Sequence, residues 1–166
     1  MTNYNWAQFT KRITIHAPAD AIFKAWAKQE GLESWFLRLA EFKAPSGKIK
    51  ERNDLVQKGD QYRWRWFGYD DTIAEEGEVI FSNDKDELQF TFTGGCIVKV
   101  SVKEEAGEMV CELQQAMPMD DQNEQRYFFI ECGKGWTFYM TNLKSILEGG
   151  IDLRNKNAAI RNLINA

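Results

Sequence analysis

The sequence predicts an α+β fold in which a curved antiparallel sheet, with two short helices after its first strand, wraps around a long C-terminal helix. Three observations carry this prediction. Between about residues 39 and 116, apolar and polar residues alternate at period two in short runs separated by turn signals. From Asp121 to about Glu148 the period changes to that of a helix. The chain also carries six Trp, five Tyr and eleven Phe in 166 residues, enough ring volume to fill a broad sheet–helix interface or to line a pocket in it.

Each element follows from its residues. Phe9, Ile13 and Ile15 share one side of a first strand, with Thr10, Arg12 and Thr14 on the other. Pro18 stops that strand and suits the first position of a short helix whose apolar face is Ile22, Phe23 and Trp26. Gly31 is expected to end or bend this helix, and Leu32, Trp35 and Phe36 then make a second short apolar turn. Leu39 to Lys43 reads as a strand and Pro45-Ser46-Gly47 as a turn, while Lys48 to Gly59 is ambiguous. The run Tyr62 to Phe67 is the clearest strand, because Tyr62, Trp64 and Trp66 alternate with Arg63 and Arg65. Thr72 to Ser82 continues with Val79 and Phe81, followed by a hairpin turn at Asn83-Asp84-Lys85-Asp86. Leu88, Phe90 and Phe92, then Val98, Val100 and Val102, then Met109, Cys111 and Leu113 repeat the alternation, with turns near Gly94-Gly95 and Gly107. Short-linked strands of this kind make an antiparallel meander.

Asp121 and Glu124 resemble a capping box, and Trp136, Met140, Leu143 and Leu147 form one stripe of the helix that follows. About 25 residues of helix span roughly 37 Å, enough to cross a whole sheet. Gly149-Gly150 stops it. Gly133 and Gly135 inside it each forfeit roughly 1 kcal/mol of helix propensity, which points to a bend or a close backbone neighbour. Ile160, Leu163 and Ile164 predict a short amphipathic helix in the tail. We therefore expect a single domain over 1–166, with a core of about 9–154 and a helical tail of 155–166.

Composition excludes several functions. A net charge of −4 argues against a general nucleic-acid binder, which neutralises phosphates with surplus Lys and Arg. The first residues lack the basic start and apolar run of a secretory signal, and no run is long enough to span a membrane, so a cytoplasmic location is expected. Cys96, Cys111 and Cys132 are odd in number and lack C-x-x-C spacing, as suits packed, reduced thiols. His16 is the single histidine, which excludes a two-histidine metal site and suits an exposed or structural role at a strand end. No phosphate-cradling glycine motif is present. Asp70, Asp71, Glu75, Glu76 and Glu78 depart from calcium-loop spacing and read as a solvated strand edge. No catalytic constellation, metal site or cofactor is predicted.

The opening Pro18-Ala19, Ile22-Phe23-Lys24-Ala25-Trp26 and Trp35-Phe36, together with Gly135-Trp136, Leu143-Lys144 and Leu147-Glu148 near the end, resemble the helix-grip fold of the START and birch-pollen-allergen superfamily. Within it they are similar to the Aha-type group, homologues of the activator of the heat-shock chaperone ATPase. The resemblance covers about Phe9 to Arg154. It implies a START-like domain and leaves activity open, because the superfamily includes lipid carriers, hormone receptors, cyclases and co-chaperones. Eukaryotic co-chaperones of the group carry a separate N-terminal docking domain, for which no room is expected before Phe9.

A grip of this kind offers one place for function, the space between the sheet's concave side and the long helix. At about 24 cal/mol per Å³, an empty 500 Å³ hole there would cost on the order of 12 kcal/mol, comparable with a domain's whole stability. Either rings plug the interior, or a ligand or ordered water completes it. The candidate lining is Trp35, Trp64, Trp66, Phe90, Phe92, Val98, Val100, Trp136, Tyr139 and Met140, with Glu112, Tyr139 and Arg63 as candidates for inward polar groups. The leading expectation is non-enzymatic binding of an apolar or aromatic, lipid-like small molecule. A protein-interaction module of the co-chaperone type and a cofactor-free cyclase or hydrolase are the alternatives. Ligand identity, protein partner and oligomeric state are left open.

Overall fold

The computed structural model describes residues 4–164. Its chain order is β1 (Gln8–Thr14), α1 (Ala19–Ala27), α2 (Gln29–Trp35), β2 (Leu39–Lys43), β3 (Gln61–Arg65), β4 (Glu75–Ser82), β5 (Glu87–Phe92), β6 (Cys96–Glu105), β7 (Glu108–Ala116) and α3 (Gln122–Leu147). The seven strands form one sheet in the order β1-β7-β6-β5-β4-β3-β2, every neighbouring pair antiparallel. The predicted meander is therefore present, and α3 lies across the concave face with Trp136 only 2% exposed.

Alternation places the core. Along β6, Cys96, Val98, Val100 and Val102 are buried, and opposite them on β7 so are Cys111 and Leu113. Phe42, Tyr62, Trp64, Leu88 and Phe90 continue the same face through β2, β3 and β5. Tyr62 and Trp64 stack with centroids 3.8 Å apart, and Trp64 meets Phe90 edge-on at 5.3 Å. From the helical layer, Trp26 and Trp35 pack edge-on at 4.5 Å, and Trp26 lies 5.7 Å from Trp136. Such ring pairs add about 0.5–1.5 kcal/mol each beyond the area they bury.

Several expectations are corrected. Gly31 does not end α1; Lys28, in an extended conformation, does, and Gly31 lies inside α2. A Cβ there would collide with the backbone of Lys24 and Ala25, so its absence lets α2 sit directly on α1. Phe81 is 40% exposed rather than inward, because an irregular register between Val79 and Phe81 turns the rest of β4 over. The acidic run around β4 is not a sheet edge: β3 covers β4, and the edges are β1 and β2. Trp66 falls just after β3 and is only partly buried.

α3 begins where the Asp121 carboxylate accepts the Asn123 N–H at 2.8 Å, and Gly149 at φ +79° ends it. Gly133 and Gly135 show no close backbone approach: a Cβ at Gly133 would meet only Lys11 at 3.9 Å, and one at Gly135 would meet nothing within 4 Å. After the helix the chain returns to α2. Arg154, 7% exposed, donates to the carbonyls of Leu37, Glu33 and Ser34 at 3.0–3.1 Å and pairs with Asp152 at 2.7 Å. Buried Asn142 donates to Trp35 O at 2.7 Å and accepts the Leu153 N–H at 2.8 Å. These bonds satisfy the carbonyls that the end of α2 leaves without helical partners.

The predicted tail helix is not formed among the described residues of 155–164. Asn155 and Asn157 accept the N–H groups of Asn157 and Ala159, and Asn162 takes φ +60°. Side-chain bonds of this kind compete with a helical ladder. Residues 165 and 166 lie outside the described residues.

Candidate functional site

Most of the grip's interior is filled. Trp35, Trp64, Phe90, Val98, Val100 and Met140, all expected to line a cavity, are at most 2% exposed and belong to the packed core. The opening that remains lies at the mouth, between α3 and the ends of β3 and β5. It is a cleft of about 340 Å³ lined by Phe36, Trp66, Tyr69, Phe92, Thr93, Tyr127, Phe128, Glu131, Cys132, Gly135, Trp136 and Tyr139. Thus Trp66, Phe92, Trp136 and Tyr139 of the candidate set come together there. A larger depression of about 760 Å³ on β2–β4 is lined by the charged residues Glu41, Lys43, Arg63, Glu76 and Glu78 beside Phe42, Ile49 and Tyr62, and lies away from α3.

Each wall has a local origin. Phe36 immediately follows α2, and its ring meets Trp136 at 5.0 Å, Tyr139 edge-on at 4.9 Å and Trp66 edge-on at 5.6 Å. Phe92 closes β5 and lies 5.2 Å from Trp136. The tight turn after it puts Gly94 at φ +67°, and a Cβ there would strike the Phe128 ring. On α3, residues 128, 131, 132, 135, 136 and 139 recur at helical spacing and so share one face. Gly135 is the recess in that face, since nothing stands within 4 Å of where its Cβ would be.

The floor is held by hydrogen bonds. Trp136 Nε1 donates to Gln115 Oε1 at 2.7 Å, and Gln115 is fully buried on β7. Burial pushes the Cys96 thiol up to about 12 and raises that of Cys132, so neither supplies much thiolate near neutral pH. Burial also raises the Tyr139 phenol, partly offset by Arg154. Glu75, at the start of β4, is raised by burial against a hydrogen bond to Thr93. Two indole N–H groups in the core, those of Trp26 and Trp64, lack a hydrogen-bond partner; the Cys111 thiol beside Trp26 is at best a weak acceptor.

The other sequence candidates lie elsewhere. Glu112 pairs with Arg12 at 2.9 Å on the outer face, and Arg63 reaches Glu76 at 3.5 Å in solvent. His16 is exposed, with Nδ1 3.7 Å from Glu108. Asp71 pairs with Arg38. Sequence reasoning missed Phe36, Tyr69, Thr93, Tyr127, Phe128, Glu131, Cys132 and Gly135 as lining residues. The usable signal was Gly135, an unfavourable residue in an otherwise strong helix, flanked one turn away on both sides by side chains of the same face. No helix among the described residues is long and apolar enough to cross a membrane.

Comparison with known proteins fits this architecture. The model of the family described as Activator of Hsp90 ATPase homolog 1-like protein matches residues 16–148. No curated protein matches by sequence. Among solved structures, a Staphylococcus saprophyticus protein is 15% identical with a TM-score of 0.67, over 89% of this chain and 96% of its own. The Aha1 dimer from Colwellia psychrerythraea is 15% identical with a TM-score of 0.62, over 86% and 97%. DynU16, a protein of the dynemicin biosynthetic locus, is 18% identical with a TM-score of 0.64, over 86% of this chain and 47% of its own. At these identities the likeness is one of fold.

Proposed function

Because the chain belongs to the family of Activator of Hsp90 ATPase homolog 1-like proteins, we propose that it binds an apolar, ring-bearing small molecule in the mouth cleft without turning it over. The observation that carries this reading is an open space of about 340 Å³ walled by aromatic rings, with a glycine, Gly135, in its helical wall and free space where a Cβ would stand. That volume is within the range of small-molecule sites, and the mixture of ring faces with a few polar groups is the usual lining of one. The raised thiol and phenol around it favour binding over nucleophilic chemistry.

The test uses Gly135→Leu. Its side chain would occupy the recess without meeting other atoms at Cβ. Thermal shift of the wild-type chain over a panel of apolar aromatic compounds is expected to yield stabilising ligands, and the variant is expected to keep its fold and lose those shifts. Equal shifts in both proteins would place any binding outside the cleft.

A second reading, a protein-interaction module, is favoured by a groove of about 600 Å³ on the other side of α3, lined by Phe129, Ile130, Phe138 and Ile164, of which Ile130 and Ile164 are exposed. Exposed apolar surface of that kind is what a protein partner would cover.

A further inference from the structure

The charged lining of the cleft is of one sign. Its described lining includes the carboxylate of Glu131 and no Lys or Arg. A second carboxylate, Glu75, is partly buried near the lining residue Thr93. Both acids act on Cys132, which lines the same cleft. The nearby cations already have partners. Lys134 pairs with Glu131 itself at 2.7 Å, reaching it from the groove on the other side of α3 and so from outside the cleft. Arg154, whose field reaches Tyr139, is matched by Asp152 and three backbone carbonyls. Arg161 donates to Gly68 O at 3.0 Å and acts on Asp70.

Aromatic faces carry the negative part of the ring quadrupole, and indole attracts cations most strongly. Here the rings of Phe36, Trp66, Phe92, Trp136 and Tyr139 line a space whose charged lining group, among the described residues, is the Glu131 carboxylate. Extending the binding reading above, on which this rests, we propose that the cleft selects organic cations: small molecules that join an ammonium group to a ring or branched apolar body. An anionic head group would lose its water and find no Lys or Arg among the described lining residues to replace it. Fatty acids and other carboxylate amphiphiles are therefore the wrong class.

Three probes of similar size separate charge from shape: phenyltrimethylammonium, its neutral isostere tert-butylbenzene, and benzenesulfonate. Titrations are read on the intact chain from the indole N–H resonances of Trp66 and Trp136. The ammonium is expected to bind about tenfold more tightly than the isostere, and the sulfonate not at all over the same range. Glu131→Gln is expected to weaken the ammonium several-fold and leave tert-butylbenzene unchanged. Gly135→Leu must abolish the signal, which separates the cleft from a general attraction of cations to a chain of net charge −4. If tert-butylbenzene or benzenesulfonate binds as tightly as the ammonium, cation selection is wrong while the binding reading stands. If none of the three binds, both are wrong.

Discussion

The closed end of the grip and its mouth are built from the same kinds of residue and end in opposite states. At the closed end, Trp35 Nε1 donates to Ala25 O at 2.9 Å, Asn142 holds the Trp35 carbonyl, and Arg154 holds three more. Trp26 and Trp35 are buried there, and the polar groups that end α2 find fixed partners. At the mouth, Tyr69 and Tyr127 are 51% and 61% exposed, and Phe92, Trp66 and Tyr139 are only partly covered. The difference teaches where a ring-rich fold places function. Rings whose polar surroundings are paired are core, and rings left half-covered around a glycine recess are available to something else.

Three substitutions break or sharpen this contrast. The largest effect is expected from Arg154→Met at the closed end, which strands three carbonyls and leaves the Asp152 carboxylate to Lys156 and Asn142. Denaturant unfolding should show a loss of about 3–5 kcal/mol, as for removal of one member of a buried pair. Trp66→Ala at the mouth should cost less in the same assay, about 1–2 kcal/mol, because its ring is only partly buried, yet it should weaken ligand binding more than Arg154→Met does. A mouth substitution as costly as the latch substitution would erase the distinction.

The smallest expected effect is a matter of pH. Burial works to raise the Asp152 carboxyl, but hydrogen bonds from Arg154 and Lys156 outweigh it and hold the group well below the usual carboxylate range. A depressed folded value stabilises the protein above the unfolded value near 4 and is lost as pH falls from there toward the folded value. Asp152→Asn should therefore lower stability at neutral pH by on the order of 1 kcal/mol and flatten the acid limb of the stability profile below about pH 4. An unchanged acid limb would mean that the latch carries no charge of consequence.

Most of the fold was legible because period and turn chemistry are local. Asp84 at φ +61° in the β4–β5 turn, the alternation of Val98, Val100 and Val102, and the stripe from Trp136 to Leu143 all follow from neighbours in sequence. What escaped depended on distant partners. Phe81 turned outward because of the register that β5 imposes, and Gly31 sits inside a helix because α1 packs against it. The Asn-rich tail looked helical by its apolar spacing, and side-chain bonds from Asn155 and Asn157 prevailed. The cleft was half-legible for the same reason. Trp136 and Tyr139 were visible as a helical face, whereas Tyr69 and Thr93 reach it only through the paths of the β3–β4 and β5–β6 connections.

The central claim is that ligands meet the rings of the mouth and not those of the closed end. Its most direct test is fluorine NMR of the chain labelled with 5-fluorotryptophan, whose six Trp positions report on both regions at once. On addition of a bound aromatic ligand, the resonances of Trp66 and Trp136 should move while those of Trp26 and Trp35 stay in place. Movement of Trp26 and Trp35 with Trp66 unmoved would contradict the account.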